Sequence, residues 1–257
     1  MSLIDGRSWF RSHDMVSVLR EDVELADAVD ASRREAADAA SRARVIHVRR
    51  GRWDAATAAD RARGGHGLLV LVGLLMRRVE IDRHYGAELL GPGDPLSPLE
   101  MTDDVSTVAV ESTWRVVEPL RLAELDRPWS FRMARHPEVG IELAARAVRR
   151  SRRLANTLAI SQHPRLEPRL HLLLWELADR FGRVTPDGVH LPLPITHELL
   201  SHLAAARRPS VTSALQRLAG AGLLEPRDKG WILYGEAPAE PDRSPISFAS
   251  GARFQTR

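Results

Sequence analysis

Near the C-terminus, a short run of side chains combines many hydrogen-bond donors with no acid. The run is RRPSVTSALQR, and its polar positions are Arg207, Arg208, Ser210, Thr212, Ser213, Gln216 and Arg217. The apolar residues between them have the spacing of one buried helix face: Val211, Ala214, Leu215 and Leu218. The opposite face of such a helix can enter a DNA major groove, where donors meet base edges and the N-terminal residues lie nearest the bases. The alternative is an ordinary polar surface helix.

The segments on either side predict the elements that would position this helix. Upstream, Thr196 can cap a first short helix, HELLSHLAA, and a break at 205–208 separates the two helices. Downstream, glycines end the second helix, and a hairpin follows that carries Lys229 where it would touch phosphate. Helix, tight turn, helix and hairpin is the order of a helix-turn-helix with a wing. We therefore predict a DNA-binding domain over residues 164–235, which starts with the amphipathic helix RLHLLLWELADRFG.

The charge of the chain is unevenly distributed. Its net charge is only +3, yet residues 141–235 carry thirteen Arg and Lys229 against eight acidic residues. The basic excess therefore lies in the part of the chain where a DNA-binding module needs it, although a solvated basic helix face would give the same count.

A long helix is predicted ahead of this domain, over residues 137–163. Pro137 can open it, because the first N–H of a helix needs no partner. Small and apolar residues then recur at spacings of three and four, in the pattern of a heptad seam: Ile141, Ala144, Val148, Ser151, Ala155 and Leu158. Such a seam most simply packs on its two-fold mate, so we predict a homodimer; the alternative is packing on the chain's own β-domain.

The N-terminal half alternates short apolar runs with glycine turns, a pattern typical of a small β-roll, which we place at residues 45–136. The strand-like runs are 45–53, 68–75, 77–81, 86–96, 107–110 and 114–120. Residues 1–44 are predicted to be helical, with one run from Met15 to Arg44 that contains no Pro or Gly. Residues 236–257 are rich in Pro and Ser and predicted to be disordered. The predicted fold class is α+β: an N-terminal β-roll, a long dimerisation helix and a C-terminal winged helix-turn-helix.

The composition excludes several kinds of site. Without cysteine, the chain has no disulfide, no thiolate zinc site and no cysteine-ligated iron–sulfur cluster. His47, His66 and His84 are candidate haem or metal ligands, but their spacing makes no site, so we expect neither a metal nor a cofactor. No apolar run is long enough for a membrane span, and the N-terminus lacks the apolar core of a signal peptide. We therefore expect a cytoplasmic protein with no membrane partner.

These segments together resemble the Crp/Fnr family of transcriptional regulators, over roughly residues 40–235. The most specific matches are RLHLLLWELADRFG, LPLPITHELLSHLAAARRPSVTSALQRLAGAGLL and the wing. The β-roll resembles the cyclic-nucleotide-binding fold of this family more weakly, through Gly86 and the GPGD turn at 91–94. The resemblance implies an N-terminal effector domain, a dimerisation helix and a C-terminal DNA reader. It also implies double-stranded DNA with a pseudo-palindromic site, and RNA polymerase, as partners.

The resemblance assigns roles to two residues of the DNA-binding domain, and two other positions differ from the family pattern. By position, Thr196 would hold a phosphate and Arg208 would be the leading base-reading arginine. Pro209 stands where the family has a base-reading glutamate, and Ser213 stands where it has a second reading arginine. The target sequence of the best-known family member is therefore not expected for this chain.

The resemblance also places an effector pocket in the β-roll, and the residues there do not suit a cyclic nucleotide. Family members that bind cyclic AMP carry Gly-Glu and then Arg-Ser or Arg-Thr, and the arginine neutralises the cyclic phosphate. The corresponding positions hold Ser97 and Pro98, then Asp104 and Val105, with Leu154 and Ala155 at the adenine contacts. We therefore predict a regulator that does not respond to cyclic AMP or cyclic GMP.

Three alternatives stay open at this point. One is ligand-independent DNA binding, in which the β-roll serves only to hold the dimer. Another is an unknown small-molecule effector in the β-roll. The third, from another class, is an enzyme with its pocket in the β-roll, but the chain has no P-loop, Rossmann, GxSxG or HExxH motif and no catalytic residue is predicted.

Overall fold

The computed structural model describes residues 14–101, 108–228 and 230–237. Within them, the N-terminal half is an antiparallel sheet curled into a roll, with strands β1 (Met15–Ser17), β2 (Arg42–Val48), β3 (Gly51–Trp53), β4 (Gly67–Ile81), β5 (His84–Leu90), β6 (Pro95–Leu96) and β7 (Glu111–Leu125). The strand order is β1-β2-β7-β4-β5, while β3 also pairs with β7 and β6 with β4. The α+β class with an N-terminal β-roll is confirmed.

The prediction of one helix from Met15 to Arg44 is wrong. Short elements replace it: β1, α1 (Val18–Glu21), α2 (Val23–Asp27), a 3₁₀ helix (Ala31–Arg33) and α3 (Arg34–Ala40). The cause is capping, because the side chains of Ser17, Asp22 and Asp30 each accept a backbone N–H two or three residues further on. Each such bond starts a new helical turn and ends the previous one. Strand β2 consequently begins at Arg42 instead of Val45.

Two other strand boundaries differ from prediction. The runs 68–75 and 77–81 form the single strand β4, because Gly73 adopts a φ of 97° and lets the strand continue through bulges. A Cβ at Gly73 would lie 2.2 Å from the carbonyl oxygen of Pro119. The run 107–110 is not a strand over its described residues 108–110, and Thr107 lies outside the described residues. Strand β7 begins at Glu111, opposite Glu80, which is almost the last residue of β4.

The interior of the roll is filled by apolar side chains. Trp53 and Trp114 meet edge to face inside it, with ring centroids 6.3 Å apart. Helix α4 (Ala56–Ala62) closes one side of the roll through three buried alanines. The remaining large side chains of this core are Met101, after the 3₁₀ helix Pro98–Glu100, and residues of the strands: Ile46, Val48, Leu68, Val70, Leu75, Leu90, Leu96, Val116, Leu120 and Leu122. Among the described residues, these side chains form one buried cluster inside the roll.

Helices α5 (Arg127–Met133) and α6 (Pro137–Ser161) follow the roll. Helix α6 packs on the roll and on the N-terminal helices with a face that contains the buried residues Val139, Leu143, Arg146 and Arg150. Its other face is exposed and holds the whole predicted seam: Ile141, Ala144, Val148, Ser151, Ala155 and Leu158. The alternative that the seam packs on the chain's own β-domain is therefore wrong.

The C-terminal domain contains α7 (Leu166–Phe181), β8 (Arg183–Thr185), β9 (Gly188–Leu191), α8 (His197–Leu203), α9 (Arg208–Gly220), β10 (Leu224–Arg227) and β11 (Gly230–Leu233). Its four strands form a sheet in the order β10-β11-β9-β8. The predicted winged helix-turn-helix is confirmed. The tail prediction falls mostly outside the described residues, which end at residue 237.

The two halves of the chain share one hydrophobic core. Leu74, Met76 and Leu89 of the β-roll belong to the same buried cluster as the inner faces of α7, α8 and α9. An ion pair at 3.4 Å between Arg115 of β7 and Glu198 of α8 lies beside this core. Among the helices in the described ranges, none is both long and apolar enough to cross a membrane.

Candidate DNA-binding site

The two helices of the helix-turn-helix are fixed by local hydrogen bonds. The hydroxyl of Thr196 caps α8 by accepting the N–H of Leu199 at 3.1 Å. The turn between α8 and α9 contains Ala205 at a φ of 46°, and its carbonyl at Ala204 accepts a hydrogen bond from Arg169 of α7 at 3.1 Å. The turn is thereby tied to the core helix α7, which holds α9 at a defined angle to α8.

The predicted recognition face lies on α9. Its inner side is buried through Val211, Ala214, Leu215 and Leu218, and its outer side exposes Arg207, Arg208, Ser210, Ser213, Gln216 and Arg217. Within the part of the chain that the structure describes, Arg207 and Arg208 have no ion-pair partner. Arg208 is the first residue of α9. The N-terminal residues of a recognition helix lie nearest the base edges of the major groove, so the Arg208 guanidinium is well placed to reach a base.

Three other predicted contact residues already have intramolecular partners. The hydroxyl of Thr212 donates to the carbonyl of Arg208 at 3.2 Å, and that of Ser213 donates to the carbonyl of Pro209 at 3.2 Å. Arg217 forms an ion pair with Glu167 of α7. A backbone hydrogen bond and this pair with Arg217 lower the pKa of Glu167. The two hydroxyls can meet DNA as acceptors, and the Nη1 donors of Arg217 are not used by its pair with Glu167, which involves Nε and Nη2. Lys229 lies outside the described residues.

A groove of about 460 Å³ runs beside α9, between the start of α8 and the wing. It is lined by the predicted residues Thr196, Thr212 and Gln216, and by His197, Trp231 and Arg50, which sequence reasoning missed. The His197 ring stacks on Trp231 with centroids 6.3 Å apart, and its Nδ1 lies 2.9 Å from the Thr212 hydroxyl. A histidine directly after a helix cap and a tryptophan in the wing carry no pattern that would have marked them.

The predicted effector pocket is only partly described. Ser97 caps the 3₁₀ helix Pro98–Glu100 by accepting the N–H of Leu99 at 3.3 Å, and Pro98 begins that helix. Asp104 and Val105 lie outside the described residues. Ser97 and Pro98, where the resemblance places the start of a cyclic-nucleotide site, form the beginning of this short 3₁₀ helix.

The GPGD turn at 91–94 is bound by arginines that sequence reasoning did not place there. Asp94 is only 3% exposed; it accepts the N–H of Gly91 at 2.9 Å and pairs with Arg153 of α6 at 2.7 Å and Arg180 of α7 at 2.6 Å. Burial lowers the pKa of Arg180, and the neighbouring Asp94 opposes that shift. One carboxylate thus joins the roll, the long helix and the DNA-binding domain.

Two further arginines of α6 flank this junction. Arg150 pairs with Glu88 of β5 at 2.6 Å and donates to the carbonyl of Pro95 at 3.1 Å. Arg146 binds Asp22 at 2.8 Å and the carbonyl of Gly93 at 3.3 Å. The spacing of 146, 150 and 153 is four and then three, the spacing of one helix face, and this is the signal that could have revealed the cluster.

The three candidate histidines lie apart from one another and contact different partners. His47 lies 3.3 Å from Asp14, His66 Nδ1 lies 2.7 Å from the Ser130 hydroxyl, and His84 bonds the carbonyl of Asp82. Across the described ranges, no three His, Asp or Glu side chains come together as metal ligands.

A β-roll joined by a long helix to a winged helix-turn-helix defines a DNA-binding regulator of transcription. Residues 168–234 match the family model of the Crp-like helix-turn-helix domain. The chain is 26% identical over 161 residues to the CRP-like cAMP-activated global transcriptional regulator of Mycobacterium tuberculosis, covering 61% of this chain and 69% of that protein. These matches show a Crp-like helix-turn-helix domain at residues 168–234 and a similarity to a CRP-like regulator that extends beyond it.

Solved structures support the fold. A cyclic nucleotide-binding domain containing protein from Listeria monocytogenes aligns with a TM-score of 0.59 at 13% identity, over 82% of this chain and 96% of the other. A CooA variant from Carboxydothermus hydrogenoformans aligns with a TM-score of 0.56 at 15% identity, over 74% and 83%. The relatives with assigned roles are transcription regulators, which gives no support to the enzyme alternative.

Proposed function

We propose that this regulator acts as a homodimer that reads a pseudo-palindromic DNA site through α9. The observation that carries the proposal is the pair Arg207 and Arg208, which are exposed at the start of α9 without a partner among the described residues. A guanidinium in that place can meet guanine O6 and N7 in bidentate fashion. In a two-fold dimer, the half-sites would lie about one helical turn apart, roughly 10–11 base pairs.

The exposed face of α6 supports the dimer. Ile141, Val148 and Leu158 are 69%, 62% and 64% exposed in the single chain, although they line one side of the same helix. Burying such side chains is worth about 25 cal/mol for each Å² removed from water. Two copies of α6 packed along this face would bury the apolar residues of both.

The filled roll supports independence from cyclic AMP and cyclic GMP. A cyclic nucleotide needs a cation for its phosphate and a space for its base. Among the described residues, Trp53, Trp114 and the strand residues around them form a buried apolar cluster inside the roll. The arginines near the GPGD turn are engaged with Glu88, Asp94 and backbone carbonyls. The name of the Mycobacterium tuberculosis relative states cyclic AMP activation of that protein alone.

Two measurements test this proposal. Selection from random duplexes with the purified chain should yield one two-fold symmetric motif, and failure to enrich any motif would contradict sequence-specific reading. Isothermal titration should show no binding of cyclic AMP or cyclic GMP at physiological concentrations, whereas a micromolar Kd for either would contradict the second part.

Ligand-independent binding is the second candidate, and the packed roll interior favours it. In that case the protein purified without added ligand would bind its selected site at full affinity. Mass spectrometry of the denatured protein would then find no small molecule in stoichiometric amount. A released small molecule whose return raises DNA affinity would instead identify an effector.

A further inference from the structure

An exposed serine in the first turn of α9 follows two arginines. Ser210 is the third residue of that helix, and Arg207 and Arg208 lie three and two positions before it. The hydroxyl of Ser210 has no hydrogen-bond partner among the residues that the structure describes. Thr212 and Ser213 of the same helix, by contrast, donate to backbone carbonyls. Of the three hydroxyls on α9, that of Ser210 is therefore the one without an intramolecular contact in the described ranges.

The charges around Ser210 have the pattern that basophilic protein kinases select. The run RRPSV has arginine at the third and second positions before the serine and an apolar residue directly after it. Such a kinase binds both guanidiniums with carboxylates of its own cleft, so the arginines must be available. Arg207 and Arg208 are both exposed, and neither has an ion-pair partner within the described part of the chain.

A second serine that follows two arginines shows what the structure adds to this motif. Ser151 of α6 comes directly after Arg149 and Arg150. Arg149 pairs with Glu142 at 2.5 Å and Arg150 pairs with Glu88 at 2.6 Å. The hydroxyl of Ser151 donates to a backbone carbonyl of its own helix at 3.2 Å. Because its arginines are bound elsewhere and its hydroxyl is engaged, Ser151 is not an equivalent site.

The start of α9 is also held by fewer bonds than the start of α8. Arg207 occupies the N-cap position of α9 without a side-chain hydrogen bond to the helix, whereas Thr196 caps α8. Pro209 brings no N–H to the first turn of α9, and the N–H of Val211 bonds the carbonyl of Arg207 at 3.1 Å. Phosphoryl transfer requires the hydroxyl in line with the γ-phosphate of ATP inside the kinase cleft. Local opening of this uncapped turn gives a kinase that access.

We propose that Ser210 is a phosphorylation site for a serine kinase that selects preceding arginines, and that the phosphate releases the protein from its DNA site. The inference rests on the proposed reading of DNA by α9 and adds the regulation of that reading. In the reaction, a bond forms between the Ser210 oxygen and the γ-phosphorus of ATP, and the bond from that phosphorus to the departing ADP breaks. The hydroxyl proton passes to the catalytic carboxylate of the kinase.

The phosphate changes the charge of the reading face. It adds about −1.5 to −2 charges at pH 7 to a run of polar side chains that contains no acid. Residues three positions apart are neighbours on a helix, so the Arg207 guanidinium lies within reach and binds the phosphate by charge-assisted hydrogen bonds. The arginine is thereby withdrawn from the bases. The new negative charge also faces the phosphates of DNA, which repel it.

The first experiment locates the modification. The purified chain is incubated with ATP, Mg²⁺ and the catalytic subunit of cyclic-AMP-dependent protein kinase, which selects arginines two and three positions before a serine. Mass spectrometry should find phosphate on Ser210 and none on Ser151, and Arg207→Ala should slow the reaction roughly tenfold. Ser32 is the matched control, because it is exposed and its two neighbouring arginines follow it instead of preceding it. An excess of the selected duplex should protect Ser210 by covering α9.

Two results of this experiment would overturn the proposal: no phosphate on Ser210, or phosphate on Ser151 in its place. The same peptide is then sought in protein isolated from the cells that make it. Phosphate should be present on Ser210 in part of that protein. Its absence from both growing and starved cells would also overturn the proposal.

The second experiment measures the consequence for DNA binding. Chains synthesised with phosphate on Ser210, or on Ser32 as the control, are compared by fluorescence anisotropy on the selected duplex. Phosphate on Ser210 should weaken binding roughly 100-fold, because both half-sites of the dimer lose their arginine contacts, and a phosphatase should restore the affinity. Phosphate on Ser32 should leave the affinity unchanged. Kinase treatment of Ser210→Ala should leave that variant at its own untreated affinity.

The outcomes separate this inference from the proposed function. If the chain selects a motif and phosphate on Ser210 leaves its affinity unchanged, the inference alone is wrong. Equal losses from phosphate on Ser210 and on Ser32 would also contradict it, because the effect would then not depend on α9. If the unmodified chain selects no motif, the proposed function fails, while the first experiment still decides whether Ser210 is modified.

Discussion

Helices α6 and α9 both combine arginines with apolar residues, but they use them in opposite ways. Helix α6 buries Arg146 and Arg150 and exposes Val148, whereas α9 buries Val211 and exposes Arg208. The buried arginines of α6 have carboxylates from the roll and the N-terminal helices within reach, so their charge is satisfied inside the chain. The comparison shows that a count of basic residues does not locate a nucleic-acid surface; the supply of acidic partners decides it.

The largest effect is expected at the exposed face of α6. Val148→Asp would bury a charge in the proposed dimer interface, which costs several kcal/mol if the charge stays unpaired. Sedimentation should then show monomers at concentrations at which the wild type is a dimer. Ala147→Asp introduces the same side chain beside the seam, where charges stay solvated, and should leave the dimer intact. A wild-type chain that is monomeric at micromolar concentration would contradict the proposed dimer interface on the exposed face of α6.

The next effect concerns the buried carboxylate of Asp94, which pairs with Arg153 of α6 and Arg180 of α7. Asp94→Asn would leave Arg153 and Arg180 without their shared anion, and removal of one partner from a buried ion pair costs about 3–5 kcal/mol. The free energy of unfolding in urea should fall by that order, while the motif selected by the folded protein should stay the same. Asp60→Asn breaks an exposed pair with Arg63 and should cost less than about 1 kcal/mol. A similar small loss for both variants would show that Asp94 does not hold Arg153 and Arg180 in place.

A smaller effect, on specificity and not on stability, is expected for Arg208. A bidentate arginine–guanine contact carries about 1–3 kcal/mol of discrimination, so Arg208→Ala should relax the preference at one symmetric base pair. The unfolding free energy should stay within about 0.5 kcal/mol of the wild type, because the side chain is exposed. Selection from random duplexes with the variant is the measurement. An unchanged motif would mean that another residue of α9 reads the base.

The smallest effect is expected for Lys229, which the sequence predicts to touch phosphate. A lysine binds phosphate as a point charge, so Lys229→Ala should weaken all sequences about equally. The salt dependence should flatten by roughly one counterion for each subunit. A change in the selected motif would contradict this role and would place Lys229 with the α9 arginines as a reader.

The order of the elements could be predicted because each has a local signal. These signals involve only residues close in sequence: the apolar spacing of α9, the glycine after α7 and the seam of α6. The family resemblance then indicated how the elements are arranged in one architecture. The seam also indicated an exposed apolar face, which the structure shows for Val148 and Leu158.

Features that depend on distant partners could not be predicted in the same way. The buried state of Arg150 follows from Glu88, which lies 62 residues earlier in the chain. The place of Arg50 beside α9 follows from how the roll packs on α8, and no local pattern encodes that. The prediction of one N-terminal helix is wrong for a local reason: aspartate competes for backbone N–H groups and favours caps, and Asp22 and Asp30 both cap new helical turns.

The shared core has a consequence for how the molecule unfolds. Because Leu74, Met76 and Leu89 of the roll lie in one cluster with α7, α8 and α9, neither half can lose its packing without exposing apolar surface of the other. Such coupled packing favours one cooperative transition over separate melting of two domains. A fragment that begins at residue 164 would leave the inner face of α8 uncovered where the roll had packed. The DNA-reading surface and the roll are therefore expected to be one unit of stability.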